Sequence, residues 1–335
     1  MSIRFHRFLI HRIAFSPFSS RIAFALLKSR TLLRSRLYRF FQQKQIESVK
    51  KRNYLFPRVV IAENTNVCNA RCVMCPSTNT KRSRGFMDMV LYRKIVDECV
   101  HYPGVELRLS GFGEPLLDKN LIHRIKYAKE KGIESVHLTT NASLLDEDIS
   151  RRILDSGLDG MMLSVDGYDK ASYEKIRSPL DFDSVYENIR RFKLMRGRKK
   201  KPSMTVSVIL FREFAKQRKD MIDLWRPIAD HIFIKPPEDW AGEISSYKNQ
   251  SLVAIPHISC PYLWTQFLIT WEGVVALCCR DFCNVRVSIG DVRQNTIYDI
   301  WHGKLLEKIR EDDAVKRTLS PCRLCAYKPN WWGET

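Results

Sequence analysis

The sequence has no run of about 18 uncharged apolar residues, the least a membrane-spanning helix needs, so no spanning segment is expected. No secretory signal is expected from its first residues either. Its N-terminus alternates Arg with Phe, Leu and Ile, without a clean apolar stretch or a small-residue cleavage site. Glycine and proline, fourteen of each in 335 residues, are too few for a fibrous or low-complexity chain. Acids are nearly missing from one end: residues 1–58 hold fourteen Lys and Arg against Glu47 alone, a net +13 of the whole chain's +19. The other 277 residues therefore carry only +6, so the basic character belongs to an arm and says little about the rest.

Cysteine, by contrast, is plentiful. The ten fall at 68, 72 and 75, then 99, then 260, 278, 279 and 283, then 322 and 325. These are two tight clusters and a dispersed set rather than the pairs of a secreted scaffold, which points to metal-bound thiolates in a reducing, cytoplasmic setting. Residues 1–50 read as helical, with Phe5, Phe8 and Leu9 and then Ile22, Leu26, Leu33, Leu37 and Phe41 among arginines. Such a basic amphipathic arm suits either peripheral attachment to an anionic membrane or a helical extension with solvated charges. An organelle transit peptide has a similar composition.

After Pro57 the texture changes to short β-like runs separated by helical patterns. Strands are expected near Val59–Glu63, Val105–Ser110, Ser135–Thr140, Gly160–Val165, Met204–Leu210 and His231–Ile234, with helices such as Leu121–Lys131 and Asp146–Ser156 between them. Asp146 is placed to cap its helix, and Gly132 and Gly157 stand where helices stop. Six alternating strand–helix units predict an α/β fold, a partial (β/α)6 TIM-like barrel, with its chemistry at the C-terminal strand ends. From about Ser245 the regularity stops and cysteines resume. Three regions follow: a basic arm over 1–56, the barrel over 57–245 and a small cysteine-rich domain over 246–335, where metal ligation would supply part of the folding energy.

The segment Asn66-Val67-Cys68-Asn69-Ala70-Arg71-Cys72-Val73-Met74-Cys75-Pro76 follows the first strand and sets three cysteines at the barrel mouth. Three thiolates are one fewer than the irons of a cubane cluster, which leaves one iron open to an outside ligand. Zinc with a distant fourth ligand, or a ferredoxin-like cluster completed by another cysteine, would use the same thiols.

The CxxxCxxC loop resembles the hallmark of radical S-adenosylmethionine (radical SAM) enzymes, with Met74 at a position often aromatic. The resemblance implies a 4Fe-4S cluster whose open iron is chelated by S-adenosylmethionine, reductive cleavage to a 5'-deoxyadenosyl radical, and removal of a substrate hydrogen atom. Ser110-Gly111-Phe112-Gly113-Glu114-Pro115, after the second strand, is similar to the family's GGE motif with Phe112 replacing the first glycine. By that resemblance Phe112, Gly113 and Glu114 bind the methionine amino group. Ser164, with Asp166 or Asn141, is assigned by the same likeness to the ribose hydroxyls or the methionine carboxylate.

Further on, Cys260, Gly273, Cys278 and the terminal Cys322-Arg323-Leu324-Cys325 resemble the SPASM or Twitch extension of these enzymes in its short version. That likeness implies a second, auxiliary 4Fe-4S cluster held by Cys260, Cys278, Cys322 and Cys325; structural zinc is the alternative. Cys278 and Cys279 would point to opposite faces of a strand, and the glycine spacing selects Cys278. Cys279 and Cys283 are then a packed thiol and a loop thiol, and Cys99 a buried helix residue.

A fully ligated auxiliary cluster has no open iron, so electron transfer is its expected task. This favours an oxidoreductase acting on a small molecule, such as dehydrogenation of a sugar or aminocyclitol alcohol, with flavodoxin or ferredoxin as electron donor. Modification of a peptide or protein is the second expectation. A non-catalytic iron–sulfur or zinc protein whose arm binds membrane or RNA is the third, although no RNA-binding signature is present and no specific nucleic-acid partner is expected. The sequence leaves the catalytic base unassigned; Glu238, Asp239, Arg280 and Asp281 are candidates by position alone.

Overall fold

The computed structural model describes residues 44, 47–244 and 260–325. The chain divides into two compact units, residues 1–52 with 255–259, and residues 53–254 with 260–335. In the first, Lys44 and residues 47–52 are helical, and Lys44 pairs with Glu47 at 3.0 Å. The expectations for residues 1–43, for the boundary near 245 and for the C-terminal Trp pair lie outside the described residues.

In the second unit six strands alternate with helices: β1 (Val59–Ala62), β2 (Glu106–Leu109), β3 (Ser135–Thr140), β4 (Gly160–Ser164), β5 (Ser203–Ile209) and β6 (His231–Lys235). Each lies within a residue of its expected bounds. They pair in parallel and in sequence order. Consecutive order with right-handed crossovers sends every intervening helix to the same face, which gives the expected partial barrel. Local signals work as the sequence suggests: Asp146 Oδ1 accepts from Ile149 N at 2.8 Å to start the helix Glu147–Leu154, and Gly132 and Gly157 end helices at φ +99° and +83°.

The sheet does not stop at the sixth strand. β7 (Gln266–Ile269) pairs in parallel with the free side of β1, and β8 (Val274–Ala276) and β9 (Ser288–Asp291) continue antiparallel. The C-terminal segment, expected to be too irregular for a core, thus borrows the barrel's own. Trp301, 1% exposed, packs in the main core with Leu306 and Ile309, and its indole donates to Asn53 O at 3.1 Å. The strand β8 ends at Ala276, so Cys278 and Cys279 sit in the turn beyond it, and the opposite-faces argument does not apply to them.

Burial alternates along the strands, as in β3, where Val136, Leu138 and Thr140 are buried and their neighbours half-buried. The helix-covered face carries Val60, Leu107, Leu109, Val136, Leu138, Leu163 and Val206, packed with Leu91, Ile95, Ile125, Ile153 and Ile189 of the helices. The register then assigns the other face, the lumen. Arg108 pairs across to His137, Thr139 to Met162 to Thr205, and Ser164 to Ser207. The lumen side of β2–β5 is therefore polar, while on β1, β7 and β8 it holds a small apolar group, Ile61, Leu268, Ala276 and Phe282, with Phe112 and Cys279 against it.

Candidate functional site

The cysteine loop leaves the C-terminal end of β1 and is tied down mostly through its backbone. Cys75 N donates to Cys72 O, Arg71 N to Ser178 O and Val73 N to Ile176 O, at 2.7–3.0 Å. Upstream, Asn66 Nδ2 donates to Ser83 O at 2.7 Å and its Oδ1 accepts from Gly85 N. Arg84 donates to the carbonyls of Asn66 and Ser77. A loop whose polar backbone is satisfied this way holds its side chains in place before any ligand arrives. Burial pushes the Cys68 thiol up and the Cys72 thiol to about 11, the latter against the nearby Arg177 cation.

The second expected motif meets this loop directly. Glu114 N donates to Val67 O at 2.8 Å, and a Cβ on Gly113 would press into Thr65 O and lie 2.7 Å from Val67 O. Only glycine fits there. The Glu114 side chain, fully buried, accepts from Thr140 Oγ1 at 2.6 Å, Leu116 N at 3.0 Å and Asn141 N at 2.7 Å. It thereby joins the ends of β2 and β3. Burial pushes its carboxyl up, with those hydrogen bonds opposing. Phe112 is half-buried, its N–H donating to Glu63 Oε1 at 3.3 Å.

Asn141 lies in a closed ring of hydrogen bonds. Its Nδ2 donates to Asn69 Oδ1, Asn69 Nδ2 to Ser143 Oγ, and Ser143 Oγ back to Asn141 Oδ1, all at 2.7–2.9 Å. This locks the cysteine loop to the end of β3. Asp166 is buried against Arg177, which reaches its Oδ2 at 2.7 Å from Nε and 2.6 Å from Nη2, while its Oδ1 accepts from Ile209 N. Arg177 Nη1 also points to Cys72 Sγ at 3.6 Å. Ser164, half-buried, closes β4 on the lumen side.

Two residues that sequence reasoning passed over knit the mouth together. Glu63, in the lumen register just after β1, pairs with Arg82 at 2.5 Å and accepts from Trp271 N; Arg82 reaches on to Glu272 at 3.1 Å. Trp240, beyond β6, donates from its indole to Met74 O at 2.8 Å and meets the Phe112 ring edge-on at 5.2 Å. Its φ of +50° and that of Ala241, +53°, are strained for residues with a Cβ and persist because the surroundings hold them. Glu63 had a signal, its place one residue past a strand end. Arg177 and Trp240 had none, since only the folded chain brings them to the loop.

The C-terminal thiols also gather. Cys260 and Cys325, Cys278 and Cys260, and Cys322 with both Cys260 and Cys325 lie within electrostatic reach, and burial pushes Cys322 to about 12. Cys279 lies within the same reach, of Cys278 and Cys260, and also near Glu238, Arg280 and Lys235, so the structure does not separate it from Cys278 as a ligand. Cys283 sits in a turn, buried and near Cys75, and Cys99 is buried in the helix Met89–Cys99 as expected. Of the candidate bases, Asp281 is taken up by Arg286 and Val287 N, and Asp239 is 4% exposed and caps Ala241 N. Glu238 keeps more open surface, 3.5 Å from Arg280.

Among the described residues no three Cys, His, Asp or Glu side chains converge tightly enough for a single metal ion. A cubane makes no such demand, since each thiolate takes a different iron. Three thiols on one anchored loop, with a glycine turn against it that no Cβ could enter, fit such a cluster with one corner open. The C-terminal set, five thiols within one another's reach, has enough ligands for a fully ligated one.

Comparison with known proteins agrees with this geometry. The family model of the radical SAM superfamily matches residues 63–224, and that of SPASM, an iron–sulfur cluster-binding domain, matches residues 260–326. A tungsten-containing aldehyde ferredoxin oxidoreductase cofactor-modifying protein of Pyrococcus furiosus is 24% identical over 285 residues, 71% of this chain and 79% of that protein. A probable GTP 3',8-cyclase of Methanococcus maripaludis is 33% identical over 128 residues, 38% of this chain but only 42% of the cyclase. Among solved structures, Streptococcus suis SuiB bound to precursor peptide SuiA superimposes with a TM-score of 0.64 at 12% identity, covering 84% of this chain and 74% of SuiB. BtrN in complex with AdoMet and 2-DOIA gives 0.55 at 19% identity, covering 84% of this chain and 96% of BtrN. These likenesses show the shared fold. With both family models falling on the two cysteine-bearing segments in this order, the chain belongs to the radical SAM superfamily and carries a C-terminal SPASM domain, with a 4Fe-4S cluster, S-adenosylmethionine and auxiliary iron–sulfur as its cofactors.

Proposed function

We propose that the chain oxidises a hydroxyl-bearing small molecule, such as a sugar or aminocyclitol, to a carbonyl by removal of two electrons. The observation that carries this reading is the lumen. Its β2–β5 face presents Arg108, His137, Thr139, Ser164 and Thr205, groups that hydrogen-bond hydroxyls and would leave an apolar substrate poorly solvated. Cys68, Cys72 and Cys75 would hold the catalytic cluster, and Cys260, Cys278, Cys322 and Cys325 the auxiliary one. When bound, these groups and S-adenosylmethionine supply removal of one hydrogen atom from the substrate and acceptance of one electron. The chain's own residues do the rest. The Gly113 turn and Asn141 ring hold the cysteine loop in register with the lumen, and Phe112, Trp240 and Phe282 cover the mouth with aromatic surface that excludes water. Glu238, partly open and beside Arg280, is the carboxylate placed to take the hydroxyl proton. The balance closes: a hydrogen atom, a proton and an electron leave the alcohol.

The test is anaerobic turnover with polyols and aminocyclitols deuterated at the carbinol carbon. Deuterium should appear in 5'-deoxyadenosine together with a carbonyl product. The Cys322→Ala variant should transfer deuterium and form no carbonyl; full carbonyl yield from it would remove the electron-acceptor role. Deuterium transfer from peptides and from no polyol would move the assignment to peptide modification.

A further inference from the structure

We propose that the cleft at the N-terminal ends of β5 and β6 is a second binding site, distinct from both cysteine clusters, for a phosphorylated ligand bearing at least two negative charges. The cleft has a volume of about 390 Å³ and is lined by Lys193, Arg196, Arg198, Lys199, Lys200 and His231, with Asp230 the one acid among its walls. That volume lies in the range of small-ligand pockets, about 300–1,000 Å³. Ser203 and His231, which border it, are the first residues of their strands, whereas the cysteine loop leaves the last residue of β1. Seven residues of β5 separate the two ends, roughly 23 Å at about 3.3 Å per residue. A ligand here does not reach the chemistry, so the cleft serves attachment or control.

The charges are not those of an ordinary solvated face. The helix Phe182–Arg196 ends at Gly197, φ +58°, and the chain turns through Arg198–Lys201 into β5. Cations in the last turn of a helix are favoured by its dipole, which accounts for Lys193 and Arg196. It does not account for the three that follow. Asp230 is already taken: it accepts from both terminal nitrogens of Arg196, from Lys193 at 3.3 Å and from Met204 N at 2.8 Å. Lys201 turns away to Asp159 at 2.5 Å. Arg198, Lys199 and Lys200 are exposed and have no acidic partner among the described residues. Arg196 lies beneath them, its side chain 3% exposed, with both terminal nitrogens on Asp230 and Nη1 also on Pro202 O, so the one acid of the wall is already neutralised. Three exposed cations without acidic partners, set in a concave wall whose one carboxylate is already neutralised, suit the oxygens of a phosphate. Phosphate could come from a soluble metabolite or from a lipid headgroup, and the chemistry at the cleft is the same.

The experiment uses the full chain, intact and as the Arg198→Ala/Lys199→Ala/Lys200→Ala variant, whose altered side chains are all exposed. Calorimetric titration with inorganic pyrophosphate is run beside sedimentation with phosphatidylcholine vesicles, plain or containing phosphatidic acid. The expected result is binding that weakens by about 100-fold in the variant, from roughly fivefold for each of the three cations, and that Lys199→Arg/Lys200→Arg retains. Variant-sensitive pyrophosphate binding identifies a soluble ligand. Variant-sensitive binding to phosphatidic acid vesicles alone identifies a lipid. Binding of both probes undiminished in the variant, which would then belong to other basic segments, overturns the site, as does failure of the intact chain to bind either.

Discussion

Replacing Arg177 with methionine tests how the catalytic loop is supported. Arg177 and Asp166 form a pair with side chains 9% and 0% exposed, at 2.6 and 2.7 Å, and Arg177 alone reaches Cys72 Sγ. Removing one member of such a pair leaves the other charge buried and uncompensated, which costs about 3–5 kcal/mol, or between two and four powers of ten in the folding equilibrium. Removing both, as Asp166→Asn/Arg177→Met, should recover most of that loss. The cluster should not recover with it. A guanidinium donating to a ligating sulfur favours the reduced, more negative cluster, and its loss at about 1.5 kcal/mol corresponds to roughly 60 mV toward more negative potential in a one-electron couple. Urea unfolding of the apoprotein and potentiometric EPR of the reconstituted protein separate the two effects. The reasoning fails if Arg177→Met unfolds with the wild-type midpoint, or if the double variant regains the wild-type potential.

Gly113→Ala should lower iron retention after reconstitution, because its Cβ can be admitted only by moving the Thr65 and Val67 carbonyls of the loop, at about 1–3 kcal/mol of overpacking; iron counts equal to wild type would refute it. Anaerobic reconstitution should yield about eight irons per chain from two cubanes, and Cys72→Ala about half of that with no S-adenosylmethionine cleavage. Cluster assembly must deprotonate thiols that burial pushes up, Cys72 to about 11 and Cys322 to about 12. Assembly should therefore release protons and quicken as pH rises from 7 toward 9, measured by the growth of visible absorption; a rate falling with pH would contradict it.

The six barrel strands were legible because each is a short, self-contained pattern, apolar on one face and bounded by glycine or a capping acid, as at Asp146 and Gly157. The cysteine loops were legible because ligand spacing is local. What could not be read are pairings made across large separations. That β7 joins β1 rests on contacts some 200 residues apart, and four-residue strands such as Gln266–Ile269 carry too little pattern to announce them. The end of β8 at Ala276 was missed for the same reason, since Val274–Ala276 continues into Leu277 without a break in hydrophobicity. Arg177 reads in sequence as a solvated cation; only burial beside Asp166 and Cys72 gives it a role.

Joining β7 to β1 has a consequence for the chemistry. Because the C-terminal segment continues the barrel's sheet, its hairpin is fixed to the strand from which the catalytic loop departs, and side chains reinforce the join. Glu63 accepts from Trp271 N, and Arg82 links Glu63 to Glu272. Thr80 Oγ1 donates to Cys283 O at 3.0 Å, and Lys81 N to Asn284 Oδ1 at 3.1 Å. On the far side, the strained Trp240–Ala241 turn is gripped by Met74 O and by Arg286, which donates to Ala241 O at 3.1 Å. The two cysteine-bearing segments are thus held to each other by several separate sets of bonds. Electron transfer is steeply sensitive to separation, and a substrate radical is short-lived, so an electron acceptor on a hinged domain would act only intermittently. A shared sheet removes the hinge, and this is the physical reason to expect that loosening the Glu63–Arg82–Glu272 bridge would uncouple hydrogen removal from product formation without disturbing either set of cysteines.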